Sequence, residues 1–200
     1  MSELTELAVE ISECTKCLLH KSRVKAVPGE GPEQIDVMFV GEGPGFHENQ
    51  QGRPFVGAAG VFLGELLQSI GLSRDKVFIT NVVKCRPPGN RDPLPEEIKA
   101  CRAYLDRQIE LLRPKVIVTL GRYSMARAFP NERISRIHGQ PKKIEGIVFV
   151  PMYHPAAALH QPSLRHTIEE DFKKLPEILR KLDEMQDEEP PEQAQQLSLF

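Results

Sequence analysis

Short runs of apolar residues alternate along this chain with longer stretches in which apolar positions recur every three or four residues. "IDVMFVGE" (35–42) is a nearly unbroken apolar run that ends in a Gly-rich turn, and it predicts a strand buried on both faces. "VFLGELLQSIG" (61–71) predicts a helix with Phe62, Leu63, Leu66, Leu67 and Ile70 on one side, closed by Gly71. "KVFITNVVKC" (76–85) reads as a second strand. "PEEIKACRAYLDRQIELLRP" (95–114) reads as a helix with Ile98, Cys101, Leu105, Ile109 and Leu112 facing inward. "KVIVTLG" (115–121) and "IVFVPMYH" (147–154) supply a third and a fourth strand, and "LRHTIEEDFKKLPEILRKL" (164–182) a last helix that Pro176 should kink or restart. Strands alternating with helices in this way predict an α/β fold: a four-stranded, mainly parallel sheet between two layers of helices.

Composition places this pattern in one compact body. The 200 residues are 40% apolar, enough for one core of this type. No run approaches the roughly 20 apolar residues of a membrane span, and the first residues, "MSELTELAVEISEC", are acidic and amphipathic rather than signal-like. A soluble, cytoplasmic, monomeric protein is expected. The net charge of −2 conceals an asymmetry, because Asp183 to Phe200 holds six acidic residues and no Lys or Arg. Residues 1–182 then carry 26 basic against 22 acidic side chains, a balance of +4 that suits a nucleic-acid partner. The tail "DEMQDEEPPEQAQQ" is poor in apolar residues, so the domain is expected to span 1–182 and 183–200 to be a disordered acidic extension.

Four cysteines stand at 14, 17, 85 and 101. In a reducing compartment they point to metal or redox chemistry rather than to disulfides. Four thiolates suit either Zn²⁺ or an iron–sulfur cluster. The wide Cys85–Cys101 spacing disfavours a zinc ribbon, and buried inert thiols are the plain alternative. In a doubly wound sheet, functional groups gather where strands end at their carboxyl side. Three of these ends carry unusual residues: "GEGPGFHENQQGRPFVG" (41–57), Thr80 and Asn81, and "YHPAAAL" (153–159). They are expected to converge on one pocket. Each also has a plain structural reading: Phe55 as core, Asn81 as a turn residue, His154 as a helix cap. Glu42 is hard to place in a core.

Together the blocks "GEGPG…E…GRPFVG", "TNVVKCRPPGNR…P…E…AC", "LG" after the third strand and "HPAA" after the fourth resemble the family-4, iron–sulfur branch of the uracil-DNA glycosylases. The resemblance covers nearly all of residues 10–182. It implies that fold, removal of uracil from DNA by hydrolysis of the N-glycosidic bond, and a [4Fe-4S] cluster on Cys14, Cys17, Cys85 and Cys101. It further implies that Phe55 stacks on the base, Asn81 reads its edge and His154 stabilises the departing anion. Glu42 is expected to act on the attacking water or the sugar cation, Gly43 and Pro44 to approach the base, and Glu48 to wall off its C5 position. Arg53, Lys84, Arg86 and Arg91 are the expected phosphate contacts. "ERISRIHGQ" (132–140) is either a DNA-wedging loop or an ordinary basic surface loop. His138 lies outside the insertion in which some relatives carry a nucleophilic His, so hydrolysis without a covalent intermediate is expected.

The final pentapeptide "QLSLF" (Gln196 to Phe200) ends a polar tail with three apolar side chains. It resembles the bacterial motif that docks on the replicative sliding clamp. That likeness implies a clamp partner and a bacterial source. A rival nucleotide hydrolase on the same architecture would need a phosphate loop, and the chain has no Gly-x-x-x-x-Gly-Lys-Ser/Thr.

Overall fold

The computed structural model describes residues 2–188. In chain order it contains α1 (Glu3–Glu13), β1 (Val37–Gly41), α2 (Phe46–Gln51), α3 (Ala58–Ser69), β2 (Phe78–Asn81), α4 (Pro95–Leu112), β3 (Val116–Leu120), α5 (Arg122–Met125), α6 (Ile134–Ile137), β4 (Lys142–Ile144), β5 (Ile147–Met152), α7 (Pro155–His160), α8 (Leu164–Phe172) and α9 (Leu175–Glu188). One sheet runs β2-β1-β3-β5-β4. The four expected strands are its parallel members. The fifth, β4, is a three-residue antiparallel edge on β5. Its "KKI" carries two exposed lysines and no apolar alternation, so the pattern that marks a strand is missing there.

Every residue of β1, β2 and β3 is buried, as expected for strands covered on both faces. On one face Phe39, Val118 and Val150 pack with Phe62, Leu63, Leu66 and Leu67 of α3 and with Ile168 and Phe172 of α8. On the other, Met38, Val40 and Ile117 pack with Leu7 and Ile11 of α1 and Cys101, Tyr104 and Leu105 of α4. The second strand ends sooner than expected, at Asn81, and its "VVKC" continuation turns away. Val82 and Val83 N–H still bond to the carbonyls of Gly41 and Glu42, so the strand ends stay in register. The last helical stretch breaks between Phe172 and Leu175, with Pro176 at the start of α9. α9 runs on to Glu188, six residues past the expected boundary, and within that stretch Arg180 pairs with Glu184 and Lys115 with Asp183. No described helix is long and apolar enough to cross a membrane. The segment from Glu189 to Phe200, with its QLSLF ending, lies outside the described residues.

Candidate functional site

The carboxyl ends of the strands open into a cleft of about 470 Å³ lined by Glu42, Gly43, Pro44, Gly45, Glu48, Phe55, Asn81, His154 and residues of the 87–93 loop. All seven residues expected to hold a base are among them. The register explains the closeness: Gly41 of β1 faces Asn81 of β2 across the ladder. A Cβ at position 41 would come within 2.4 Å of Asn81 Oδ1 and 2.8 Å of the Phe55 ring. Only glycine leaves room for both side chains to meet there.

Asn81 is 2% exposed, and its Oδ1 has no hydrogen-bond partner. A buried acceptor left unmatched costs about 1–3 kcal/mol, so this amide is poised for a donor that the protein itself does not supply. His154 is both the expected cap and a pocket residue. Its Nδ1 accepts the Ala156 N–H at 3.1 Å as the N-cap of α7. With Nδ1 an acceptor, the ring proton of the neutral imidazole resides on Nε2. Burial pulls the imidazole down to about 4, so it is uncharged at neutral pH.

Phe55 belongs to the core and to the pocket at once. It is buried in the α3 cluster, and its ring stacks on His154 at a centroid distance of 5.4 Å and 21° between planes. Its backbone is left-handed, with φ 52°. Arg74 holds it there by donating to the carbonyls of Phe55 at 2.9 Å and Pro54 at 2.6 Å. Glu48 completes the clamp: its Oε1 accepts the N–H groups of Val56 at 2.8 Å and Gly57 at 2.9 Å. This carboxylate therefore fixes the segment that carries Phe55 and the start of α3, a task its sequence neighbours do not reveal.

Glu42 Oε1 accepts the Tyr123 N–H at 3.1 Å from the start of α5. Gly121, at φ 96°, makes that approach possible, because a Cβ there would sit 2.4 Å from Glu42 Oε1. Burial raises the carboxyl above its ordinary pKa, against the Tyr123 bond and the Arg122 charge, which lower it. Arg122 itself is paired to Asp92 across the mouth of the cleft.

The four cysteines are free thiols that line one cavity, together with Ile11, Arg23, Lys84 and Tyr104. Cys14 and Cys17 come from the end of α1 and the turn after it, Cys85 from the loop after β2, and Cys101 from α4. Three sulfurs receive N–H donors: Cys14 from Lys16 N at 3.4 Å, Cys85 from the Arg23 guanidinium at 3.2 Å and Cys101 from Lys84 N at 3.3 Å. Burial pushes Cys85 up and Cys101 up to about 11 as free thiols. Among the described residues no three His, Cys, Asp or Glu side chains close on a single ion.

One other expectation is corrected, and the remaining loop residues are placed as follows. Lys84 is not a surface phosphate contact: it is 1% exposed, and its Nζ bonds inside the protein to Thr80, Asn81 and Gln108. Arg53 forks onto Glu30 and Arg91 onto the buried Glu97. Arg86 bonds Asn90 and lies over the exposed Phe46 ring, 5.3 Å from its centroid. In the 132–140 segment, α6 packs Ile134 and Ile137 against the second cluster, and none of the segment lines the cleft. His138 is bonded to the buried Asp171 at 2.6 Å and tilted against Tyr153.

The family model described as "Uracil DNA glycosylase superfamily" matches residues 28–182. Three similar proteins carry the name type-4 uracil-DNA glycosylase. The one from Sulfurisphaera tokodaii is 52% identical over 89% of this chain and 86% of its own length. Those from Archaeoglobus fulgidus and Saccharolobus solfataricus are 48% and 50% identical, each over 90% of this chain and over 96% and 88% of their own lengths.

Proposed function

This chain belongs to the uracil DNA glycosylase superfamily and excises uracil from DNA as a hydrolase of N-glycosyl bonds in base excision repair, and we propose that Asn81, His154, Phe55 and Glu42 divide the work. The observation that carries this reading is the unpartnered, buried Oδ1 of Asn81 in the wall of the cleft. A target base inside a duplex must rotate out to be reached. Uracil then offers its N3–H to Asn81 Oδ1, and its O4 accepts from the same amide. Cytosine has no proton on N3 and carries an amino group where uracil has O4, so it leaves both partners unmatched and is rejected. Phe55 provides an apolar face beside His154 for the flipped ring.

As the C1′–N1 bond breaks, positive charge grows on the sugar and negative charge on the uracil. The Nε2–H of His154 donates to uracil O2 as that charge develops, and Gly43 and Gly45 line the same cleft. The neutral imidazole serves this task because Nδ1, by accepting the Ala156 N–H, leaves the one ring proton on Nε2. Water supplies the oxygen that bonds C1′, and its proton passes through Glu42 to the departing base or to solvent. Glu48 acts by holding the Phe55 segment. The C5 wall first expected of it is retained as a second contribution, since the residue also lines the cleft.

Cys14, Cys17, Cys85 and Cys101 are proposed to hold a [4Fe-4S] cluster. The donor set fits it: four thiols share a cavity of largely apolar walls, and N–H donors and a guanidinium face the sulfurs. A cluster takes one thiolate at each of four irons and so needs no common point for its ligands. Bound there, it supplies a structural tie between α1, the loop after β2 and α4. A uracil-containing oligonucleotide treated with the protein and then with alkali should be cleaved at the uracil, and protein purified without oxygen should contain about four irons per chain. Intact DNA would refute the base-reading scheme, and stoichiometric zinc would refute the cluster.

The QLSLF ending is proposed to bind the sliding clamp, the preceding acidic residues serving as a tether that raises the enzyme's concentration at new DNA. Deletion of Gln196 to Phe200 should abolish clamp binding in a titration and leave excision from a short oligonucleotide unchanged. Equal clamp affinity with and without the five residues would rule the tether out.

A further inference from the structure

Between the cleft and the cysteine cavity stands one side chain that the scheme above does not use. Lys84 Nζ reaches three oxygens: Thr80 Oγ1 at 2.6 Å, the Asn81 carbonyl at 2.8 Å and Gln108 Oε1 at 2.7 Å. Its backbone N–H donates to Cys101 Sγ at 3.3 Å, and its carbonyl accepts from Val27 N at 2.7 Å. The acceptors are themselves anchored, since Gln108 Nε2 and Thr80 Oγ1 both donate to the Pro28 carbonyl, at 2.7 and 2.9 Å. Three acceptors match the three protons of an ammonium group, so the amine is fully satisfied although it is almost wholly enclosed.

Removing an amine from water is expensive, and an apolar side chain of similar length would fill the space without that cost. What the amine adds is direction. A satisfied buried network has one arrangement, and this one grips the main chain of Asn81 at the point where β2 ends. The backbone of the same lysine is tied to Cys101 on the far side. We propose that Lys84 is a positioning residue that sets the aim of the Asn81 amide and locks that aim to the cysteine-bearing wall. The proposal rests on Asn81 being the reader of the base. It predicts that Lys84 acts on catalysis only through Asn81.

A double-mutant cycle tests this by single-turnover excision at saturating DNA with the wild-type protein, Lys84→Met, Asn81→Ala and the double variant. Lys84→Met keeps the length of the side chain, and its backbone N–H can still reach Cys101. It should slow uracil excision about 10- to 100-fold and narrow the preference for uracil over cytosine, since small misplacements of a reacting group have effects of this order. Iron content and affinity for product DNA should stay at the wild-type level, which a general structural role would not allow. In the Asn81→Ala background the same substitution should change the rate by less than about threefold. Equal losses in both backgrounds, or lost iron in Lys84→Met, would overturn the proposal. If Asn81→Ala alone excises uracil at the wild-type rate, the reader assignment fails instead. Should Lys84→Met not fold, Thr80→Val removes one acceptor without changing shape and enters the same cycle. Its loss of rate should likewise vanish without the Asn81 amide, and a loss that persists overturns the proposal.

Discussion

The cleft and the cysteine cavity lie on either side of Lys84, and they treat their polar groups in opposite ways. Around the cysteines, three of the four sulfurs already receive an N–H donor, and Arg23 also spans to the carbonyls of Cys14 and Ser12. In the cleft, Asn81 Oδ1 has no partner and His154 spends only one nitrogen on the protein. One region has most of its sulfurs already matched by the protein's own donors. The other keeps its bonding capacity for a visitor, and it gives up some stability to do so. Changes at the cysteines should therefore be read in the amount of folded protein, and changes in the cleft in the rate of excision.

The largest expected effect comes from the cavity. Cys85→Ala should abolish iron binding and with it most of the soluble protein, since structural metal sites contribute on the order of 10 kcal/mol to folding. A well-folded, iron-free Cys85→Ala with an unchanged melting temperature would erase the contrast. Next comes Asn81→Asp, which should lower uracil excision by about 10³-fold or more and gain some activity on cytosine, because a protonated carboxyl can donate to cytosine N3 and accept from its amino group. Its melting temperature should barely move. His154→Ala should slow the chemical step by about 10²-fold with DNA binding little changed, and a wild-type single-turnover rate would remove the anion-stabilising role.

The smallest effect is a pH dependence. Burial holds His154 at about 4 in the folded protein against an ordinary 6.5. The unfolded chain therefore takes up a proton that the folded one refuses. The stability tied to this neutral ring is complete above pH 6.5 and is lost as pH falls toward 4. The donor form persists over the same window. The rate ratio of wild type to His154→Ala should therefore stay flat from about pH 8 to pH 5, even as both rates fall with protonation of Glu42. A ratio that changes below pH 6.5 would place the imidazole in an ordinary environment.

Much of this arrangement was legible in the chain. Continuous apolar runs gave β1, β3 and β5, helical spacing gave α3 and α4, and the three strand-end motifs do share one cleft. What stayed hidden has a common physical cause: a partner distant in sequence. A lysine next to a cysteine looks like a surface cation until Gln108, 24 residues away, is seen to accept from it. Glu97 sits one position before Ile98 on α4 and is the more deeply buried of the two, because Arg91 and the Leu94 N–H neutralise it there. Local charge pairing likewise carries α9 past Leu182, where acidic composition alone suggested a tail.

Phe55 carries a cost that bears on how such an enzyme changes under selection. A left-handed backbone at a residue with a Cβ costs roughly 1–2 kcal/mol, and the burial of its ring in the α3 cluster outweighs that cost. The orphaned amide at position 81 is a second such cost, and an apolar residue would recover it. A library screened for heat resistance alone should therefore enrich Asn81→Leu, and that hardier variant would be a poorer enzyme. Retaining Asn81 through such a screen requires that uracil excision be scored in the same round.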